Sequence, residues 1–151
     1  MLSIVKCPLV GLLAGFSLCA AALAADVGDF KDPIDKSKLT FPLKAGETET
    51  PTLKKFKITG VNAYRDDNAA IAKGKELYEQ WCLVCHNADG SGKMGPSLIS
   101  KEPAYKQSLS DPGMFSIIYA GATGAMQAFS KRDLSQDEML KIVAYVRTLA
   151  K

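Results

Sequence analysis

Excess charge of either sign is missing from this chain: 19 Lys and Arg stand against 16 Asp and Glu, leaving +3. No basic cluster gathers along it, which argues against a nucleic-acid footprint. Internal repeats, convincing strand runs and long single-sign blocks are also missing. At 151 residues the chain is too short for two ordinary domains. It holds one histidine, His86, so any imidazole chemistry has a single address. What remains, 47% apolar and 23% charged residues, is ordinary for a globular protein.

Residues 1–24 read as a signal peptide. A short basic start ends at Lys6, residues 7–25 carry no charge, and Ala22-Leu23-Ala24 has the small-x-small pattern of a cleavage site. A retained anchor is the alternative, because 19 uncharged residues reach a spanning length. Pro8, Gly11, Gly15 and Ser17 dilute that stretch, and Leu18 before Cys19 does not suit a lipoprotein. Cleavage removes Cys7 and Cys19, so the exported chain keeps Cys82 and Cys85 and has no disulfide framework. It carries +2, too little to imply an electrostatic partner.

Composition shifts near Asn68, dividing the rest into an arm, residues 25–68, and a domain, residues 69–151. The arm's apolar residues, among them Phe30, Phe41, Leu53 and Phe56, are spaced singly without a sustained period. They predict an irregular segment lying over another surface. In the domain, Asn68 is expected to cap a helix over 69–81, with Gly74 allowing another helix to approach. A short helix starts at Asp111-Pro112 and runs to Gly121. The last helix opens with the capping box Ser135-Gln136-Asp137-Glu138 and carries a stripe of Met139, Ile142, Val143, Val146 and Leu149. The pattern predicts an all-α domain. Its small size predicts help from a bound cofactor.

Cys82-Leu83-Val84-Cys85-His86 supplies one. Two thiols three residues apart can each form a thioether with a haem vinyl, and the adjoining imidazole then lies under the iron. A redox dithiol is the first rival, but its usual βαβ setting is missing. A zinc site is the second, and the mature chain has no further Cys or His to complete four ligands. With no second histidine, methionine is the expected sixth ligand. Met139 belongs to the helix stripe, Met114 to a helix first turn, and Met94 lies too near His86 to reach the opposite face. Met126 lies in the loop Gly121-Ala-Thr-Gly-Ala-Met-Gln-Ala-Phe129 and is the best candidate.

From Asn68 onward the chain resembles the class I c-type cytochromes. The matching pieces are Gly74-x-x-Leu77-Tyr78, the haem-binding motif, Gly95-Pro96-x-Leu98, Gly124-x-Met126 and Ala144-Tyr145-Val146-Arg147-x-Leu149. The resemblance implies a class I fold around one covalent haem c, with the first and last helices crossing at Gly74, Tyr78 and Tyr145. It also implies that the Pro96 carbonyl orients the His86 ring. Gln127 stands where many members of the class have proline after the methionine.

A narrower likeness, to the cytochrome cL family, rests on Leu39-Thr-Phe-Pro-Leu-Lys44, Glu47-Thr-Glu-Thr-Pro51, Thr59-Gly60-x-Asn62-x-Tyr64 and Asp111-Pro-Gly-Met-Phe115. It implies a periplasmic, monomeric electron carrier, not an enzyme. Such a carrier takes electrons from a quinoprotein alcohol dehydrogenase holding pyrroloquinoline quinone. It then delivers them to a downstream cytochrome or terminal oxidase, without nucleic acid or a stable membrane anchor. Methanol-side members are typically acidic, whereas this sequence has a pI near 8.6, which favours an ethanol-type or general alcohol dehydrogenase as donor. A respiratory cytochrome with another donor, and a haem enzyme or gas sensor with an open sixth position, are the alternatives. The arm is expected to dock the dehydrogenase or shield the haem, with a stabilising wrap as its plainer role.

Overall fold

Ser135 begins the helix that organises the chain. Its Oγ accepts the Glu138 amide while Glu138 Oε2 accepts the Ser135 N–H at 2.8 Å, which is the expected capping box. The computed structural model describes Gly28 and residues 30–150; the expected signal peptide, residues 1–24, lies outside the described residues. The helices are α1 (Pro51–Thr59), α2 (Asn68–Trp81), α3 (Leu83–His86), α4 (Asp111–Ala120) and α5 (Gln136–Leu149), joined by loops with short 3₁₀ turns. Among the described residues no strand forms beyond an isolated Lys31–Lys38 bridge, as the all-α reading requires.

α2 and α5 cross at Gly74, where an added Cβ would collide with the Lys141 carbonyl. The glycine's cost in helix propensity, about 1 kcal/mol, is offset by this close backbone approach. One turn further on, the Tyr78 and Tyr145 rings meet edge to face at 5.4 Å between centroids. Both caps expected upstream shift by one residue. Asp67 rather than Asn68 caps α2, accepting the Ala69 and Ala70 amides. Ser110 caps α4, placing Asp111 and Pro112 inside its first turn.

The arm is more regular than its sequence suggests. Thr50 caps α1, Pro51 opens it, and Gly60 in the left-handed region returns its N–H to the Phe56 carbonyl at 2.7 Å. Only Leu53 and Phe56 anchor these nine residues, both at 0% exposure. Two apolar positions are too few to register as a sustained period. Phe30 and Phe56 pack against Phe115 of α4, and Phe41 packs against Phe115 and Tyr119, in a cluster with neighbouring centroids 4.8–6.2 Å apart. The cluster spans the expected boundary at residue 68, so arm and helices share one core.

Polar contacts fasten the same surface. Asp137, at the start of α5, accepts from Thr50 at 2.5 Å and Tyr64 at 2.7 Å and pairs with Lys141 at 2.8 Å. Glu47 accepts the Gln136 amide at 2.5 Å, which puts an arm carboxylate at the positive end of the α5 dipole.

Candidate functional site

α2 hands the chain directly to the cysteine motif. Cys82 N–H still bonds the Tyr78 carbonyl, and one tight turn later the Cys85 and His86 amides bond the Cys82 carbonyl at 3.1 and 2.9 Å. This turn sets two thiols and an imidazole side by side at the end of a helix packed against α5. Burial, and then the neighbouring Cys85, push the Cys82 thiol up to about 12.

The following loop folds back under His86. The Gly95 N–H bonds the Cys85 carbonyl at 2.9 Å, and the Gly92 N–H bonds the His86 carbonyl at 3.1 Å. Asn87 Nδ2 ties down the Gly92 carbonyl at 2.8 Å. Pro96 is thereby carried to the ring: its carbonyl lies 2.9 Å from His86 Nδ1. That contact fixes Nδ1 as the protonated nitrogen and leaves Nε2 free to bind a metal. A Cβ at Gly95 would stand 2.6 Å from His86 Cε1, so only glycine lets the backbone pass so close to the imidazole.

Across from this loop, Ala122 N–H bonds the Met126 carbonyl at 3.0 Å, closing a small ring of backbone after α4. Cys82, Cys85, His86, Pro96 and Met126 all line a single cavity of about 350 Å³. Its remaining walls are largely apolar, with Trp81, Leu98, Ile118, Phe129 and Val146 among them. The donor set and the walls fit a haem: thiols for the two vinyls, imidazole and thioether for iron, hydrocarbon for the macrocycle. A Cβ at Gly124 would meet nothing within 4 Å, so the distal loop leaves open space there.

The family model described as "Cytochrome C oxidase, cbb3-type, subunit III" matches residues 69–146, just over half of the chain. The chain belongs to this family of class I c-type cytochromes. Its members are electron-transfer proteins rather than enzymes, and the cofactor is one covalently attached haem c. Cytochrome c-L of Methylorubrum extorquens is 38% identical over 106 residues, covering 70% of this chain and 53% of that protein. The cytochrome therefore spans about half the length of this curated relative. The crystal structure of cytochrome CL from the marine methylotrophic bacterium Methylophaga aminisulfidivorans superposes with a TM-score of 0.75 at 32% identity, covering 79% of each chain. Cytochrome cL from Hyphomicrobium denitrificans gives 0.70, also at 32% identity, over 80% of this chain and 73% of its own.

The methionines of the cytochrome separate by environment. Met139 is wholly buried in the core away from the cavity, and Met94 is 73% exposed on the loop that returns to His86. Met94, Met114 and Met126 all reach the cavity wall, the first from the loop beside His86, the second from α4 and the third from the distal loop. No arm residue lines the cavity among the described residues. The arm packs behind α4 and α5 instead, an arrangement that fits the stabilising wrap. Sequence reasoning also missed Tyr105, which lines the cavity and hydrogen-bonds the distal loop. It lies between helices, where no periodicity marks a residue as inward-facing.

Proposed function

We propose that the cytochrome is a periplasmic one-electron carrier that accepts electrons from a quinoprotein alcohol dehydrogenase, of ethanol or general alcohol type. It passes them toward a terminal oxidase. In this reading Cys82 and Cys85 hold the haem through thioethers, and His86 and Met126 ligate its iron. The Pro96 carbonyl keeps the His86 ring oriented. The observation that carries the reading is that all five residues line one apolar cavity at the junction of α2, α5 and the distal loop. When bound, the haem supplies a ferric–ferrous couple whose potential a His/Met ligand pair raises. The protein's own part is to bury that couple, exclude water and hold both ligands without rearrangement. No side chain is asked to perform acid–base work.

The donor assignment draws on likeness to cytochrome cL over the arm as well as the haem-binding region. The near-neutral charge with pI near 8.6 supports the ethanol or general alcohol type. Periplasmic placement draws on the sequence of residues 1–24; among the described residues no helix is long and apolar enough to cross a membrane. The matched family description favours a second reading, a respiratory cytochrome with another donor. Stopped-flow mixing of the ferric protein with reduced quinoprotein dehydrogenases separates the two. The proposal expects rapid reduction by an ethanol-type enzyme and slower reduction by a methanol-type one, whereas failure with both sinks it.

A further inference from the structure

We propose that Tyr105 is a positioning residue for the sixth iron ligand, holding the distal loop so that Met126 stays directed at the iron; this rests on the reading of Met126 as that ligand. The Tyr105 hydroxyl accepts the Thr123 N–H at 3.0 Å and shares a hydrogen bond with Thr123 Oγ1 at 2.5 Å. Thr123 lies within the ring of backbone that the Ala122–Met126 hydrogen bond closes. Tyr105 therefore grips the ring at the residue next to its closure, from a segment that precedes α4.

The grip is useful only if that segment is itself rigid, and it is held from two sides. The 3₁₀ turn Lys106–Leu109 begins at Tyr105. Arg147 of α5 bonds the Ser108 carbonyl at 2.9 Å while its Nε pairs with Asp111 at 2.7 Å. From the arm, Gln107 Nε2 donates to the Lys31 carbonyl at 3.1 Å. Lys36 Nζ reaches Gln107 Oε1 at 3.3 Å and lies 6.0 Å over the Tyr105 ring. The arm thus acts on the haem site indirectly, by bracing the residue that braces the loop.

A tethered methionine competes with any outside ligand for iron, so the apparent affinity of that ligand is scaled by the fraction of molecules whose loop is open. Losing the two hydrogen bonds of Tyr105 raises that fraction about tenfold. The test titrates the ferric holoprotein with imidazole and follows the shift of the Soret band, for wild type, Tyr105→Phe, Thr123→Ala and Met126→Ala. The proposal expects imidazole to bind Tyr105→Phe about tenfold more tightly than wild type. Thr123→Ala, which keeps the backbone hydrogen bond, shows a smaller gain and stands in should the tyrosine variant fold poorly. Urea midpoints of the same proteins separate positioning from general support, since a merely structural role lowers the midpoint without changing imidazole affinity. Wild-type affinity in both Tyr105→Phe and Thr123→Ala overturns the proposal, while a gain in Met126→Ala leaves the ligand reading standing. Wild-type affinity in Met126→Ala removes the ligand reading, and the role of Tyr105 falls with it.

Discussion

Asp137→Asn removes one negative charge from the point where the arm is pinned to α5. The wild-type carboxylate is 7% exposed and faces the Thr50 hydroxyl, the Tyr64 hydroxyl and the Lys141 ammonium at 2.5, 2.7 and 2.8 Å. Hydrogen bonds to a charged group are worth roughly 1 kcal/mol more than neutral ones. Over three partners the loss is about 3 kcal/mol, reduced to about 2 because the amide no longer has a buried charge to desolvate. For a chain of this size that lowers Tm by about 8 °C.

The pH dependence follows from the direction of the shift. Burial alone would raise the carboxyl, but hydrogen bonds from Lys141, Thr50 and Tyr64 outweigh it and hold the group below its ordinary 3.8. A depressed carboxylate contributes its full stabilisation above the unfolded value and loses it as pH falls through the lower folded value. The stability gap between wild type and Asp137→Asn should thus be constant from neutral pH down to about pH 5 and close below 3.8. Urea unfolding of both proteins, followed by far-UV circular dichroism at pH 7, 5 and 3, measures it. A gap as wide at pH 3 as at pH 7 would refute the charge as its source.

Phe56→Ala empties the centre of the shared aromatic cluster and should cost about 3–5 kcal/mol, read from the same unfolding curves. A loss under about 1 kcal/mol would mean that the arm is not part of the core. Gly95→Ala drives a methyl into the His86 ring, so the variant should lose its low-spin ferric spectrum or incorporate haem poorly; an unchanged spectrum would contradict the close approach of that backbone.

Much of this site is legible in the sequence because its chemistry is local. Cys82, Cys85 and His86 occupy one turn, and Ser135 and Glu138 announce α5 within four residues. Gly74 is legible for a related reason: an interior helix glycine is costly unless something needs the room, and Lys141 needs it. The arm is harder to read, since Leu53 and Phe56 find their partners on α4 and α5, far along the chain, and leave no period of their own. The boundary expected at residue 68 rests on that silence. With Phe30, Leu53 and Phe56 all in the common core, truncation through residue 67 is expected to strip cover from Phe115. Tyr105 is silent for a different reason: a hydrogen bond to a loop 18 residues away has no sequence signature.

The proposed ligation of a covalent haem between His86 and Met126 is tested most directly by the methionine-sulfur band of the ferric protein. Met114 is the informative control, because it lines the same cavity from α4, and Met139 is the core control. The account predicts that Met126→Ala abolishes the band while Met114→Ala and Met139→Ala retain it. Retention of the band in Met126→Ala, or its loss in Met114→Ala alone, would contradict it.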